Sequence, residues 1–192
     1  MKRFNNGIEE NREIIFSVLF YVAGLFLASV IYKCAKAQFA SFFEEILSSG
    51  NYSFLEIFLS RLLLYSALLL TVIIFGISVL GFGLINIIPF LIGFSAALKI
   101  CYYYSFSFKG ILSALLLCIP EVSLFVTLLI YCVKNSSQLS SIIYKSIKNS
   151  DTTADINLGS YLKITSVYAL LIAFTALINS VLSHFLSGVI TL

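Results

Sequence analysis

Charged side chains are scarce in this chain: only 11% of its 192 residues are Asp, Glu, Lys or Arg, whereas 60% are hydrophobic. Soluble domains carry about 25% charged residues, so this chain has too few charges to coat a soluble domain of its size. The net charge is +3 and no dense run of basic residues accompanies it. The composition therefore argues against a soluble protein and against a nucleic-acid-binding surface.

Residues that carry catalysis are also few. The chain has one histidine, His184, and no Gly-x-Ser-x-Gly elbow, phosphate-binding Gly-rich loop or His-Glu-x-x-His sequence. Its cysteines, Cys34, Cys101, Cys118 and Cys132, are too far apart for a CxxC motif. We therefore expect no enzyme activity, no cofactor and no metal site. The cysteines are expected to pack as small apolar side chains, with a disulfide between Cys34 and Cys101 as the alternative.

Long apolar runs are what the chain has in place of charge. They predict an all-α fold, a polytopic helical membrane bundle in a single domain, with five transmembrane helices at about 14–32, 62–80, 84–104, 111–133 and 164–190. The first run of 19 residues would span about 28 Å as a helix, close to the hydrocarbon thickness of about 30 Å. It also fits a signal peptide, but apolar regions there are about 7 to 15 residues long, which favours an uncleaved anchor.

The segment 33–61 follows the first predicted span and mixes apolar with polar residues. Phe42 and Phe43 lie in a stretch of helical periodicity beside Glu44 and Glu45, which predicts an interfacial amphipathic helix. Its aromatic residues are candidates for an interaction surface, or they simply lie in the membrane interface.

The cations of the polar segments predict the orientation. With the polar stretch 134–163 read as a loop, seven cations lie on the side of the N-terminus and five on the other. The positive-inside rule then favours a cytoplasmic N-terminus and a cytoplasmic 134–163 stretch.

Glu121 is the one acidic residue inside an apolar run. An ionisable residue at membrane depth is costly and is by default a candidate functional residue. However, Glu121 follows Pro120, which suits the first position of a helix, so the carboxylate could instead cap a half-helix through its free N–H groups. Both interpretations stay open at this stage.

Glycines concentrate around the second and third predicted spans. Gly81 and Gly83 predict a tight helical hairpin, and Gly93 precedes several small residues that favour close helix packing. Since Pro89 and Pro120 interrupt consecutive spans, a substrate path through broken helices is the alternative.

The stretch from Leu80 to Leu124 resembles the core of the stage II sporulation protein M family, a group of small polytopic membrane proteins. That family has a Gly-rich turn, a Gly-Phe pair in the next span, a Lys-Gly link and a Pro near the middle of the following span. The corresponding residues are Gly81 and Gly83, Gly93 and Phe94, Lys109 and Gly110, and Pro120. Two departures are Pro89, where the family usually has Gly, and the pair Glu121-Val122 after the proline.

The resemblance implies a non-enzymatic scaffold in the plasma membrane of a spore-forming bacterium, alone or in an oligomer. Its partners would be peptidoglycan-degrading proteins that act during engulfment of the forespore. The alternative function is that of a small permease subunit that uses the Pro-broken helices. A permease should form a polar cavity near Glu121, whereas a scaffold should bind its partners through the segment 33–61.

Overall fold

The computed structural model describes residues 2–39, 41, 53–105, 108–148 and 158–187. These residues are almost entirely helical and contain no strand. Five of the helices are long and apolar enough to cross a membrane. They are α1 (Lys2–Cys34), α2 (Phe54–Ile77), α3 (Ile87–Tyr104), α4 (Ile119–Lys148) and α5 (Leu158–Ser187). The predicted all-α, polytopic membrane bundle is confirmed, and the predicted interfacial helix with Phe42 and Phe43 lies outside the described residues.

Helix α2 begins well before the apolar run that predicted it, at Phe54 rather than near Leu62. The cause is a capping box at its start. The Ser53 hydroxyl accepts a hydrogen bond from the backbone N–H of Glu56, and the Glu56 carboxylate accepts one from the backbone N–H of Ser53. This reciprocal pair satisfies two N–H groups that a helix start otherwise leaves free. As a consequence, Arg61 lies inside the helix and not in front of it.

Helix α4 continues to Lys148, so the first half of the polar stretch 134–163 is helix and the prediction of a loop there is wrong. Ser136, Ser137 and Ser140 continue the buried stripe of this helix. Their hydroxyls face neighbouring helices and not water, and interhelical hydrogen bonds of this kind are common in membrane bundles.

Helices α1 and α3 run parallel and form the most extensive pairing in the bundle. Ser17 hydrogen-bonds Asn86 near the start of the pair, and Cys101 lies 3.9 Å from Ser29 near its end. At the centre, a Cβ on Gly24 of α1 or Gly93 of α3 would clash with a backbone carbonyl oxygen of the partner helix. Only glycine permits this approach, and it is typical of membrane helices that pack through small residues.

Helices α2 and α4 also run parallel, because Tyr65 at the middle of α2 meets Glu121 near the start of α4, and Ser78 at the end of α2 meets Ser140 further along α4. Helix α5 runs in the opposite direction, with its end beside the start of α2. These directions are those of five successive membrane crossings. We call the side on which α1 begins the N side and the opposite side the far side.

The N side gathers the start of α1 and the end of α4. The Glu13 carboxylate is coupled to the charges of Lys134 and Lys145 and to the Ser137 hydroxyl. The N-terminus and the cations of α4 therefore lie on one side of the bundle. That this side is cytoplasmic stays a prediction.

Candidate functional site

Glu121 is the centre of an ionic cluster near the far side of the bundle. Its Oε1 accepts a hydrogen bond of 2.7 Å from the Tyr65 hydroxyl. The same oxygen lies 3.9 Å from the Lys99 ammonium, and Oε2 lies 3.8 Å from the Arg61 guanidinium. Charged side chains at membrane depth are expected to pair with one another. The carboxylate therefore joins three helices, α2, α3 and α4, through groups that the chain brings together from distant positions.

Helix α5 is tied to the same cluster. Arg61 donates a hydrogen bond of 2.6 Å to the Ser183 hydroxyl, and the Asn179 amide lies 3.4 Å from the Tyr65 hydroxyl as its donor. Asn179 is only 2% exposed, and its side-chain oxygen is buried without a hydrogen-bond partner among the described residues. We refer to Arg61, Tyr65, Lys99, Glu121 and Asn179 as the charged layer.

The chain that leads into α4 places Glu121 in this layer. A short helix, Phe108–Ser113, continues into a π-helical turn, Ala114–Cys118, before α4 begins. Pro120 lacks an N–H group and crowds the carbonyl four residues earlier, and a π-helical turn just before it loosens the helix at that point. π-Helical turns are frequent at functional sites. The turn brings Cys118 toward the same space as Glu121.

A cavity of about 60 Å³ lies in the charged layer between α2, α3 and α4. Lys99 and Glu121 contribute its charged groups, and Tyr65, Ser95 and Cys118 contribute its other polar atoms, while the rest of the wall is apolar. Since one water occupies about 30 Å³ in the liquid, this space admits a few waters or a small polar group.

A second polar layer lies toward the N side. The Ser136 and Tyr161 hydroxyls are 2.9 Å apart, and the Ser140 hydroxyl donates to the carbonyl of Ser78 at 2.7 Å. A Cβ on Gly76 would lie 2.7 Å from the Tyr161 oxygen, so this glycine makes room for the pair. We refer to Gly76, Ser78, Ser136, Ser140 and Tyr161 as the hydroxyl layer.

An apolar layer separates the two polar layers. It contains Val72 of α2, Leu129 of α4 and Ile172 of α5, which are 0%, 1% and 2% exposed. These side chains belong to one continuous cluster that also includes Ile88 and Ile92 of α3. The described helices are thus packed without a polar route between the charged layer and the hydroxyl layer.

The residues singled out from the sequence do not form one site. Glu121 belongs to the charged layer, and Pro120 lies next to it in the sequence. Gly93 lies in the contact between α1 and α3, with Phe94 beside it. Gly110 is buried before the π-helical turn. Gly81 lies in a short helix, Gly81–Leu84, where a Cβ would meet the Phe75 carbonyl, whereas Gly83 faces open space. Lys109 is helical, and Phe42 and Phe43 lie outside the described residues.

Glu121 lies in the first turn of α4, the position on which its capping interpretation depends. Its carboxylate contacts side chains of other helices and is not limited to capping the start of its own. The Lys99 ammonium approaches this carboxylate from α3. Cys34 and Cys101, the candidates for a disulfide, are free thiols.

Arg61, Tyr65 and Asn179 were not identified as site residues from the sequence. Each is a polar residue within or beside an apolar run, and one carboxylate in the membrane requires cationic or hydrogen-bonding partners. That requirement could have indicated Arg61 as a partner of Glu121 from the sequence. For Tyr65 and Asn179 the sequence has none, because tyrosines and asparagines recur along the chain. Among the described residues, no group of three or more His, Cys, Asp or Glu side chains lies close enough to hold a metal ion.

Comparison of the chain with protein-family models, with curated proteins and with solved structures found no match.

Proposed function

We propose that this multi-pass membrane protein is a non-enzymatic scaffold, similar to the stage II sporulation protein M, in the plasma membrane of a spore-forming bacterium. Its partners in this proposal are peptidoglycan-degrading proteins that act during engulfment of the forespore. The proposal rests on the resemblance of residues 80–124 and on the apolar layer that separates the two polar layers.

The apolar layer is the observation that favours a scaffold over a permease. A permease needs a polar site that opens to each side in turn. Here Val72, Leu129 and Ile172 fill the space between the polar layers and are at most 2% exposed. Moving them apart would remove apolar contacts that pack the bundle at close range. Such a core suits a protein that holds one shape while others bind to it.

A zymogram tests the proposal directly. The tagged chain is purified from its sporulating host in mild detergent and run on a gel that contains peptidoglycan. We expect clearing bands from co-purified hydrolases at masses other than 21.3 kDa. The chain purified alone from a heterologous host should give no clearing band. If the chain from the sporulating host brings no hydrolase activity with it, the scaffold proposal is wrong.

Substitutions in the predicted interfacial segment locate the docking surface. The double variant Phe42→Ser and Phe43→Ser should lose the clearing bands while it still inserts into the membrane. Phe108→Ser serves as the control, because Phe108 is 77% exposed and lies on the far side of the bundle, where the segment 33–61 is predicted to lie. If the double variant retains the hydrolases in full, the docking surface lies on the helix faces and not on this segment.

Transport is the second candidate function, and the cavity beside Glu121 is the observation that favours it. A permease subunit would use this polar space together with the loosened helix before Pro120. The chain reconstituted into liposomes would then take up a solute, and Glu121→Gln would abolish the uptake. A scaffold would show no uptake that depends on Glu121.

A further inference from the structure

The charged layer contains more positive than negative charge. Arg61 and Lys99 carry one positive charge each, and Glu121 is the only carboxylate that pairs with them among the described side chains. The Glu56 carboxylate is engaged at the start of α2, and Glu13 lies on the N side. One positive charge is therefore left over in a largely apolar surrounding, where an unpaired charge is costly.

Lys99 is the cation that lacks an acceptor. Its ammonium has three N–H donors, but it lies 3.9 Å from the nearer oxygen of Glu121, which is beyond hydrogen-bond distance. That oxygen already accepts the proton of Tyr65. Arg61, in contrast, donates a hydrogen bond to Ser183. Among the described residues, nothing accepts a hydrogen bond from the Lys99 ammonium.

The cavity places free space beside this ammonium. Lys99 forms part of the wall of the 60 Å³ space, and its side chain is 45% exposed. Helix α3 ends at Tyr104, so the backbone of Lys99 lies only about 8 Å below that end. Because the headgroup regions together add about 10 to 15 Å to the hydrocarbon core, a lysine at this depth can reach the level of lipid phosphates.

We propose that the charged layer binds a phosphate group, either the headgroup of a phospholipid or a free phosphate, with Lys99 as its main contact. The phosphate oxygens would supply the acceptors that the ammonium lacks, and their negative charge would balance the surplus. Lysine binds phosphates as a point charge. Glu121 has a positioning role, since it holds Lys99 and Arg61 close together without neutralising both. This inference does not depend on the scaffold function.

Lipid binding to the purified full-length chain tests the proposal. The chain in maltoside detergent is titrated with phosphatidylglycerol, and bound lipid is counted by native mass spectrometry. Diacylglycerol, which has no phosphate, is the lipid control. We expect Lys99→Gln to weaken phosphatidylglycerol binding about tenfold, a loss of about 1.4 kcal/mol. Lys163→Gln should leave binding within about twofold, because Lys163 is exposed near the start of α5, at the opposite end of the bundle.

A second variant keeps both cations and removes the surplus charge instead. Ser95 lines the cavity one helical turn before Lys99, so Ser95→Asp places a carboxylate at the i, i+4 position of the lysine. This variant should also lose phosphatidylglycerol binding, while Ser95→Asn should keep it. The two Ser95 variants differ in charge and hardly in size, so that misfolding from size alone would affect them equally.

Competition with inorganic phosphate separates the two sources of the ligand. Displacement of phosphatidylglycerol by millimolar phosphate would identify a site for a free phosphate. Retention of the lipid would identify a headgroup site in which the acyl chains contribute to binding. Binding that is equally strong in the wild-type chain, Lys99→Gln and Ser95→Asp would overturn the proposal, as would equal binding of diacylglycerol.

Discussion

The charged layer and the hydroxyl layer are built on the same helix, α4, yet they solve the problem of polar groups in a membrane differently. Glu121 and Ser136 are separated by about 22 Å along the helix. In the hydroxyl layer, the two hydrogen bonds are 2.7 and 2.9 Å long, and each of the Ser136, Ser140 and Tyr161 hydroxyls takes part in one of them. In the charged layer, the two ion pairs are 3.8 and 3.9 Å long, and Lys99 has no acceptor among the described residues.

This difference indicates which layer holds the helices together and which layer has space and charge for a ligand. Satisfied hydrogen bonds between buried groups rigidify a core, and Ser136 and Tyr161 pack so closely against Gly76 that no space is left there for a ligand. Long ion pairs beside a cavity leave both space and unbalanced charge. The hydroxyl layer therefore stabilises the packing of the helices, and the charged layer is the candidate ligand-binding site.

Removal of the carboxylate should have the largest effect on stability. Glu121→Leu leaves Arg61 and Lys99 close together without a counter-charge. We expect the free energy of unfolding to fall by about 3 kcal/mol, the low end of the range for a buried pair that loses one partner, because Lys99 is partly exposed. Unfolding in detergent, followed by circular dichroism, measures this loss.

The double variant Arg61→Leu and Glu121→Leu is the control for that experiment. It leaves one unpaired cation, as in the wild-type chain, and should recover a large part of the lost stability. A Glu121→Leu variant as stable as the wild-type chain would mean that the ion pairs do not hold the helices together.

An added methyl group in the hydroxyl layer should have the next largest effect. A Cβ on Gly76 would lie 2.8 Å from the Cβ of Ser136, which cannot rotate away. We expect Gly76→Ala to lower the free energy of unfolding by about 1 to 3 kcal/mol, as overpacking does elsewhere. Gly83→Ala is the matched control, because Gly83 faces open space. Equal unfolding curves for the two variants would contradict the close packing at Gly76.

Loss of one hydroxyl in the same layer should have a smaller effect. Ser136→Ala removes the hydrogen bond to Tyr161 but keeps the size of the residue. Interhelical hydrogen bonds in membrane proteins contribute about 0.6 kcal/mol on average, so a loss near that value is expected in the same unfolding measurement. Tyr161→Phe should give a similar value, and the double variant should cost no more than either alone. A loss comparable with that of Glu121→Leu would refute the distinction between the layers.

The fold class was predictable from the sequence, because the length and hydropathy of the apolar runs are enough to predict membrane-spanning helices. The boundaries of the helices were less predictable. The start of α2 follows from Ser53 and Glu56, a short-range signal that hydropathy does not contain. The extension of α4 to Lys148 follows from serines that a hydropathy reading assigns to a loop, although they are spaced to face other helices.

The candidate site was predictable only in part. Glu121 stood out because a carboxylate in an apolar run requires an explanation. Its partners come from α2 and α3, and which residues meet across helices depends on the rotation and relative shift of each helix. Those quantities follow from packing of the whole bundle, such as the glycine contact at Gly24 and Gly93. No local pattern in the sequence contains them.

The smallest expected effect is no change at all, and it concerns the cysteines of α4 and of the turn before it. Cys118 lines the cavity of the charged layer, and Cys132 lies near the hydroxyl layer; they are 5% and 1% exposed. In a Cys34→Ser, Cys101→Ser background, we expect a charged, membrane-impermeant thiol reagent to label neither cysteine in sealed vesicles. Both thiols are buried, and a rigid scaffold would not expose them.

Full labelling of both thiols after unfolding in denaturant provides the control, since it proves that the thiols are intact and reactive. A permease that alternates between two open states would expose Cys118 to the reagent, because the cavity would then connect with water on one side. Cys132 would stay protected, since the apolar layer at Leu129 separates it from the cavity. Labelling of Cys118 alone in the folded protein would thus favour transport over the scaffold function, and would identify the charged layer as the part of the bundle that moves.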